Sequence, residues 1–173
     1  GANVSKKMQI PGEDLEGVYG ANELLEYGEH PDYKDKTVII SGCGNSAMDI
    51  SRTIKRMGAK EVYVVYRKKE ENAPAEIKEI NSAKKDGVKF LFQTNIVAIK
   101  GDKSVESIEL IKTELEQVND NISVKNIVGS NYEKPCDYVV MAIGANPDNI
   151  VKSIGLELEN GKIKIDELGA TSD

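Results

Sequence analysis

Residues that hold metals or form disulfides are scarce in this 173-residue sequence, which has two cysteines, one histidine and no tryptophan. Cys43 and Cys136 lie far apart and form no CxxC pair, and His30 is the only imidazole that could join them. A structural zinc site takes about four such ligands, and a disulfide framework takes several spaced cysteines. The sequence therefore predicts no metal site, and its sparse cysteines indicate a reducing compartment, the cytoplasm.

Long apolar runs and an excess of positive charge are also missing. No run approaches the roughly 20 apolar residues that a membrane-spanning helix needs, and no charged-then-apolar signal segment opens the chain. The 29 acidic residues outnumber the 23 basic ones, so the formal net charge is −6. The lack of a long apolar run predicts no membrane span. Because nucleic-acid binders usually concentrate positive charge, we also expect no nucleic-acid partner, and any basic site must be local.

Apolar runs and helical patterns alternate along the first half of the chain. The predicted strands are Thr37–Ser41, Val62–Tyr66 and Val88–Phe92. The predicted helices are Ala21–Glu29, Asn45–Met57 and a third that follows Asn72, has Pro74 in its first turn and ends at Gly87. The strands are apolar without alternation, as in a parallel sheet that is covered on both faces. Strand, helix and strand in close succession predict parallel pairing with right-handed crossovers.

The second half changes character. Residues from about 94 to 128 alternate between polar and apolar in short segments, which predicts an antiparallel β-meander. Cys136–Gly144 is again an unbroken apolar strand that returns to the parallel sheet, and Asn160-Gly161 predicts a hairpin turn. The predicted fold class is α/β, with a Rossmann-like parallel sheet, flanking helices and an added antiparallel β-meander.

The stretch "GCGNSA" follows the first predicted strand and opens a helix, the context in which a G-x-G-x-x-[GA] pattern indicates dinucleotide binding. Gly42 permits the tight turn, Gly44 lets the backbone approach a pyrophosphate, and Ala47 lets the helix pack on the strand. The N–H groups of the helix start then face the phosphates. The candidate phosphate-binding residues are Gly42, Cys43, Gly44, Asn45, Ser46 and Ala47. The alternative is that the glycines only make a sharp turn.

Cys43, within this stretch, is open to two interpretations. A thiolate near a helix start would be stabilised, so a redox role is conceivable. A lone cysteine is more often a small apolar filler, and we favour that interpretation.

The end of the second strand carries cations where an NAD-binding protein would carry a carboxylate for the ribose. Glu61 has about the right spacing but begins that strand, and ligands gather at the carboxyl ends of strands. Arg67 and Lys68 instead suit the 2′-phosphate of NADP(H). The alternative is that "RKKEE" is a solvated charge run whose glutamates could approach an NAD ribose.

Several blocks of sequence, taken in order, resemble one family of flavoproteins. They are "IPGEDLEGVY", "GCGNSAMD", "VYRKKEENAPAE", "AIGANP" and the terminal Thr171-Ser172. The chain resembles the family that contains the small subunit of glutamate synthase and the NADPH-binding subunit of the transhydrogenase that uses ferredoxin. In that family, an NADPH domain is inserted into an FAD domain, and hydride passes from the nicotinamide to the flavin.

The resemblance implies that this chain is the insert. Its nucleotide domain would span residues 37–150, with residues 1–36 leading in from the FAD domain of the same full-length chain and residues 151–173 returning to it through the hairpin. NADP(H) would bind here, FAD would bind only in the full-length protein, and an iron–sulfur domain or subunit would be a further partner. Ala142, Ile143 and Gly144 would lie along the nicotinamide, and no residue of the chain is expected to be catalytic.

The chain also departs from that family. Two arginines usually stand where Arg67 and Lys68 are found, and relatives tend to carry a longer, more basic loop in place of "EQVNDNISVKNIVGSNYEK". A second function also stays open: an NADP(H)-responsive interaction or sensor module that transfers no hydride. Since hydride transfer to a flavin mostly requires positioning, the lack of acid–base residues in the motifs fits both readings.

Overall fold

The computed structural model describes residues 9–142 of the chain. Within them lie three α-helices and nine strands, and the strands form two sheets. The helices are α1 (Ala21–Tyr27), α2 (Asn45–Arg56) and α3 (Ile77–Lys85). The strands are β1 (Val18–Gly20), β2 (Thr37–Ser41), β3 (Glu61–Val65), β4 (Lys89–Leu91), β5 (Thr94–Gly101), β6 (Val105–Val118), β7 (Asn121–Asn126), β8 (Tyr132–Pro135) and β9 (Tyr138–Met141). The predicted α/β fold is confirmed.

The first sheet is parallel throughout, in the order β1-β9-β2-β3-β4. The chain runs from β2 through α2 to β3 and through α3 to β4, always outward on one side of β2. β9 and β1 lie on the other side of β2. The strand order therefore reverses between β2 and β9, and in open α/β sheets ligands bind at the carboxyl ends of the strands beside such a switch point.

Both faces of the parallel sheet are covered, which explains its uninterrupted apolar strands. On one face Val38 and Ile40 of β2 pack in the cluster that contains α1, α2 and α3 side chains. On the other face Ile39 packs against Ile108 and Leu110 of β6. All five of these side chains have no measurable exposure to solvent. The molecule thus has three layers, with the parallel sheet between the helices and the second sheet.

The second sheet is antiparallel and contains the predicted β-meander, β5-β6-β7. β8 joins it by pairing with β6, and β1 joins the first sheet by pairing with β9. Neither strand was predicted. "VYG" and "YEKP" are too short for a period-2 pattern, and proline ends the second of them. Their pairing depends on long-range neighbours instead.

The predicted start of the helix before β4 is wrong. A 3₁₀ turn occupies Glu70–Asn72, and α3 begins only at Ile77. Ala73 is extended, with φ −68° and ψ 138°, as expected for a residue whose α conformation would clash with the ring of Pro74. Pro74 therefore separates the two helical segments and does not lie in the first turn of α3.

Candidate functional site

The predicted site residues meet at the carboxyl edge of the parallel sheet. Ser41, the last residue of β2, lies in register with Val65 of β3 and with Met141 of β9. The residues that follow these three strands therefore leave the sheet at the same edge, on either side of the switch point. Gly42 donates its N–H to the Val65 carbonyl at 3.0 Å, and Ala142 donates its N–H to the Ser41 carbonyl at 2.8 Å.

The glycine turn, Gly42 to Ala47, has the backbone that the sequence predicts. Gly42 has φ 114°, a conformation that other residues rarely adopt, so the strand-to-helix turn requires glycine there. Gly44 is the N-cap of α2, and no side chain caps this helix start. The first N–H groups of α2 have no partner within the helix, and the helix dipole favours an anion at this N-terminus.

Gly44 shows the space that this ligand would occupy. Its backbone is extended, with φ −96° and ψ −173°, so its conformation does not demand glycine. A Cβ built on it would meet nothing within 4 Å among its neighbours. Neither backbone strain nor packing therefore explains the missing side chain. A branched side chain at Gly44 would instead extend into the open space in front of α2, and the residues present thus fit a group that must approach the backbone closely.

The other residues of the glycine turn divide between core and surface. Ala47 is fully buried and Cys43 is 2% exposed, and both pack in the helix-side core. Burial, together with the nearby Glu70 carboxylate, raises the pKa of the Cys43 thiol to about 12, so the thiol stays protonated. This favours the interpretation of Cys43 as an apolar filler. Asn45 and Ser46 are exposed at the start of α2.

The segment before α3 is tied to this turn. The Cys43 carbonyl accepts the N–H of Ala75 at 3.1 Å, and Oδ1 of Asn45 accepts the N–H of Glu76, the N-cap of α3, at 3.3 Å. Asn45 therefore bridges two helix starts. From the sequence, Asn45 was expected only to bind the phosphates.

The second candidate element is the cation loop, Tyr66 to Asn72, which follows β3. Three successive carbonyls of this loop accept hydrogen bonds. Those of Tyr66 and Lys68 accept the N–H groups of Thr94 and Gln93, each at 3.0 Å. The carbonyl of Arg67 accepts the hydroxyl of Thr113 at 2.6 Å. The loop is thus held from outside, by the start of β5 and by β6.

The far end of the cation loop is closed by Asn72. Its Oδ1 accepts the N–H of Lys69 at 3.2 Å, and its carbonyl accepts the Tyr66 hydroxyl at 3.0 Å. Burial raises the pKa of the Tyr66 phenol, so this hydroxyl remains a donor at neutral pH. The backbone beneath Arg67 is therefore fixed at both ends, while the Arg67 side chain is exposed.

Two carboxylates, those of Glu70 and Glu61, are each paired with a lysine outside the cation loop. Glu70 forms an ion pair with Lys84 at 2.7 Å, which directs its charge toward α3. Glu61 begins β3, at the opposite edge of the sheet, and the hydrogen bond from Lys89 at 3.2 Å lowers the pKa of its carboxyl group. Glu61 is thus remote from the glycine turn, as its place in the strand predicts.

A groove of about 440 Å³ opens beside the ends of β1 and β9, where Gly20 and Met141 line it. Glu13, Glu23 and Glu29 also line this groove. Their charges would repel a phosphate, so the groove is a poor phosphate site in spite of its volume. The glycine turn and the cation loop, which lie on the other side of β9, offer backbone N–H groups and cations instead.

The structure brings together most of the predicted site. Gly42 to Ala47, Arg67, Lys68 and Ala142 all lie at the carboxyl edge, whereas Ile143, Gly144 and the Asn160-Gly161 hairpin lie outside the described residues. Sequence reasoning missed Thr113 and Gln93, which hold the cation loop. The available signal was weak: Thr113 is a polar residue at an inward position of the alternating β6 pattern.

Within residues 9–142, no helix is long and apolar enough to cross a membrane. No group of three or more histidine, cysteine, aspartate or glutamate side chains in that range could hold a metal ion.

Comparison with known proteins identifies the family. The family model described as pyridine nucleotide-disulphide oxidoreductase matches residues 1–173. The chain belongs to this family. This pyridine nucleotide-disulphide oxidoreductase domain is 37% identical to the glutamate synthase [NADPH] small chain of Halomonas elongata, over 93% of this chain and 38% of that protein. It is 33% identical to the NADPH-Fe(3+) oxidoreductase subunit beta of Geobacter sulfurreducens, over 86% of this chain and 23% of that protein.

A solved structure shares the fold. FprA of Mycobacterium tuberculosis in complex with NADPH superposes with a TM-score of 0.70 at 20% identity, over 83% of this chain and 48% of that chain. At this identity the likeness shows the fold alone. The pyridine nucleotide-disulphide oxidoreductase domain thus spans less than half the length of the proteins that it matches.

Proposed function

We propose that this chain is the NADP(H)-binding domain of a flavin-dependent oxidoreductase and that it positions the nicotinamide for hydride transfer to an FAD held by a domain outside the chain. The observation that carries the proposal is Gly44. Its backbone conformation and its surroundings leave room for a side chain that the sequence does not supply. A pyrophosphate that contacts this backbone accounts for the missing side chain.

The cation loop binds the adenosine end of the cofactor in this proposal. In parallel sheets of this kind, the end of the strand after the glycine-turn helix contacts the ribose of the adenosine. Here that position carries Arg67 on a backbone fixed by three carbonyl hydrogen bonds. A guanidinium binds a 2′-phosphate through paired N–H groups, and Lys68 adds a second cation.

The nicotinamide end of the cofactor lies on the other side of the switch point in this proposal. Ala142 follows β9, beside the end of β2, and its N–H is already bound to the Ser41 carbonyl. Ala142 therefore offers a small, rigid wall and no acid or base. That suits a domain whose part in the reaction is to hold the nicotinamide, which supplies the hydride when bound.

The remaining parts of the reaction lie with other domains. The relatives are named as a small chain and a beta subunit of NADPH-dependent oxidoreductases, and this chain spans 38% and 23% of their lengths. We infer that an FAD domain in the same full-length chain accepts the hydride and that an iron–sulfur domain or subunit is a further partner, as the resemblance to the glutamate synthase small-subunit family implies. We place this action in the cytoplasm because the two cysteines of the sequence indicate a reducing compartment.

Calorimetric titration of the chain with NADPH and with NADH tests the proposal. We expect NADPH to bind more tightly, because NADH lacks the 2′-phosphate that Arg67 would contact. Equal affinities would contradict the assignment of NADP(H). Purified chain that carried stoichiometric FAD would contradict the placement of the flavin in another domain.

A further inference from the structure

The geometry points to Thr113 as a positioning residue for the cofactor selectivity of the cation loop. This inference rests on the proposed function and extends it from the loop to the β-meander. Thr113 lies in the middle of β6 and is 2% exposed. It contacts the loop that carries Arg67, although 46 residues separate the two in sequence.

Three hydrogen bonds from outside the cation loop hold the consecutive carbonyls of Tyr66, Arg67 and Lys68, and one of these three comes from a side chain. Gln93 and Thr94 use their backbone N–H groups, whereas Thr113 uses its hydroxyl, at 2.6 Å from the Arg67 carbonyl. The Thr113 bond can therefore be removed by one substitution that leaves every backbone donor in place. It is also the bond made to the residue that would grip the 2′-phosphate.

Thr113 is itself fixed by the turn between β4 and β5. Its N–H binds the Gln93 carbonyl at 2.9 Å, and its own carbonyl accepts Nε2 of Gln93 at 3.4 Å. Gln93 has φ 50°, an uncommon conformation outside glycine, and its N–H binds the Lys68 carbonyl. Thr113 and Gln93 thus hold two consecutive carbonyls of the loop, those of Arg67 and Lys68, and we call this pair of residues the bracket.

This bracket affects affinity through the order it imposes on the loop. A long cation loses conformational freedom when it binds a phosphate, and that cost is smaller when the backbone beneath it is already fixed. Removal of the Thr113 hydroxyl would leave the Arg67 carbonyl without its partner and loosen the base of the guanidinium. The pyrophosphate would not be affected, because the glycine turn shares no hydrogen bond with Thr113 among those of the described residues.

The decisive variant is Thr113→Val, which keeps the branched shape and the backbone bonds but removes the hydroxyl. Loss of one hydrogen bond of this kind predicts about three- to tenfold weaker NADPH binding, with NADH affinity changed by less than about twofold. Thr113→Ser keeps the hydroxyl and should retain the NADPH affinity of the unaltered chain. In an Arg67→Ala background, Thr113→Val should add no further loss, since it acts through Arg67.

Ser107→Ala is the matched control. Ser107 is a second buried hydroxyl of β6, but it donates to Glu133 of β8 and, within residues 9–142, makes no hydrogen bond to the cation loop. Its removal should leave the ratio of NADPH to NADH affinity unchanged. Hydrogen exchange supplies a readout that needs no nucleotide: the amide of Lys69 should exchange faster in Thr113→Val and at the usual rate in Ser107→Ala.

The outcomes separate this inference from the proposed function. If Arg67→Ala leaves NADPH affinity unchanged, Arg67 does not bind the phosphate, and both proposals fail. If Arg67→Ala weakens NADPH but Thr113→Val does not, or if Thr113→Val weakens NADPH and NADH equally, only the positioning role is overturned. Selective loss in Thr113→Val with recovery in Thr113→Ser supports it. Should Thr113→Val not fold, Thr113→Ala and Thr113→Ser must show the same contrast.

Discussion

The glycine turn and the cation loop lie at the same edge of one sheet but owe their shapes to different things. The glycine turn is shaped from within, by the positive φ of Gly42 and by the buried Ala47 at the base of α2. The Tyr66, Arg67 and Lys68 carbonyls of the cation loop are held from outside, by donors on β5 and β6 and by Gln93, which lies between β4 and β5. One element is a local property of six residues, and the other is a property of the assembled fold.

This difference has a functional consequence. A pyrophosphate is common to NADH and NADPH, so a turn encoded in a short stretch suffices to bind either. The 2′-phosphate distinguishes the two cofactors, and its proposed site depends on contacts across the molecule. We therefore expect substitutions in the glycine turn to affect both nucleotides and substitutions around the cation loop to affect only NADPH.

The largest expected effect comes from Gly44→Val. The extended backbone of Gly44 accepts a branched residue without strain, and the open space in front of it holds no protein atom within 4 Å of the new Cβ. The chain should therefore fold normally, as measured by circular dichroism and thermal unfolding. Binding of both NADPH and NADH should fall below detection by calorimetry, because valine fills the space that the pyrophosphate needs.

Gly129→Ala is the control, with the opposite pattern. Gly129 also has open space around it, but its φ of 85° strains any residue with a side chain. This variant should lose about 1 kcal/mol of stability and keep its nucleotide affinity. If Gly44→Val still binds NADPH, the phosphate site lies elsewhere.

The next effect is selective. Replacing both Arg67 and Lys68 by alanine should weaken NADPH binding by about 2–4 kcal/mol, since charge-assisted hydrogen bonds contribute about 1.5–3 kcal/mol each and do not add fully. NADH binding should barely change. Titration calorimetry with both nucleotides measures the difference.

The matched control removes two cations from the opposite edge of the sheet. Lys34 and Lys60 are exposed near the amino ends of β2 and β3, so their replacement by alanine changes the net charge by the same amount. It should leave the NADPH affinity within about twofold, because exposed charges beyond a Debye length of roughly 8–10 Å are screened. A parallel loss in both double variants would mean that general charge, and not a phosphate site, sets the affinity.

What could be predicted from the sequence follows the same division. The strand Thr37–Ser41 and the start of α2 at Asn45 were placed correctly, because apolar runs and glycines act over a few residues. The β-meander was placed correctly from its alternation. The bracket of Thr113 on Arg67 could not be predicted, since nothing local marks a hydrogen bond across 46 residues. The late start of α3 was missed because Pro74 keeps Ala73 out of the helical conformation, an effect that the helical pattern of the following residues masked.

A smaller effect should follow from Tyr66→Phe, which tests how firmly the cation loop is closed. The Tyr66 hydroxyl donates to the Asn72 carbonyl in a half-buried setting, so its removal should lower the free energy of unfolding by about 0.5–1.5 kcal/mol. NADPH affinity should fall only a few-fold, because Thr113, Gln93 and Thr94 still hold the loop. Urea denaturation and calorimetry measure the two quantities. Tyr27→Phe, at a tyrosine that is 62% exposed, is the control and should change neither.

The smallest effect on binding is expected from Cys43, for which the sequence left a redox role open. Cys43 lies inside the glycine turn, but its side chain points into the core and burial raises the pKa of its thiol to about 12. Cys43→Ala should leave NADPH affinity unchanged, and the native thiol should resist alkylation at pH 8 and react only in denaturant.

The pH dependence of stability has a definite sign. Between pH 9 and 12 the thiol ionises in the unfolded chain while the folded chain keeps its proton. The free energy of unfolding should therefore fall as the pH rises above 9, by up to about 1.4 kcal/mol per pH unit for each such thiol. Cys43→Ala should show a shallower fall in urea denaturation over that range. Rapid alkylation of Cys43 in the folded protein at pH 8 would contradict its placement in the core and reopen the redox interpretation.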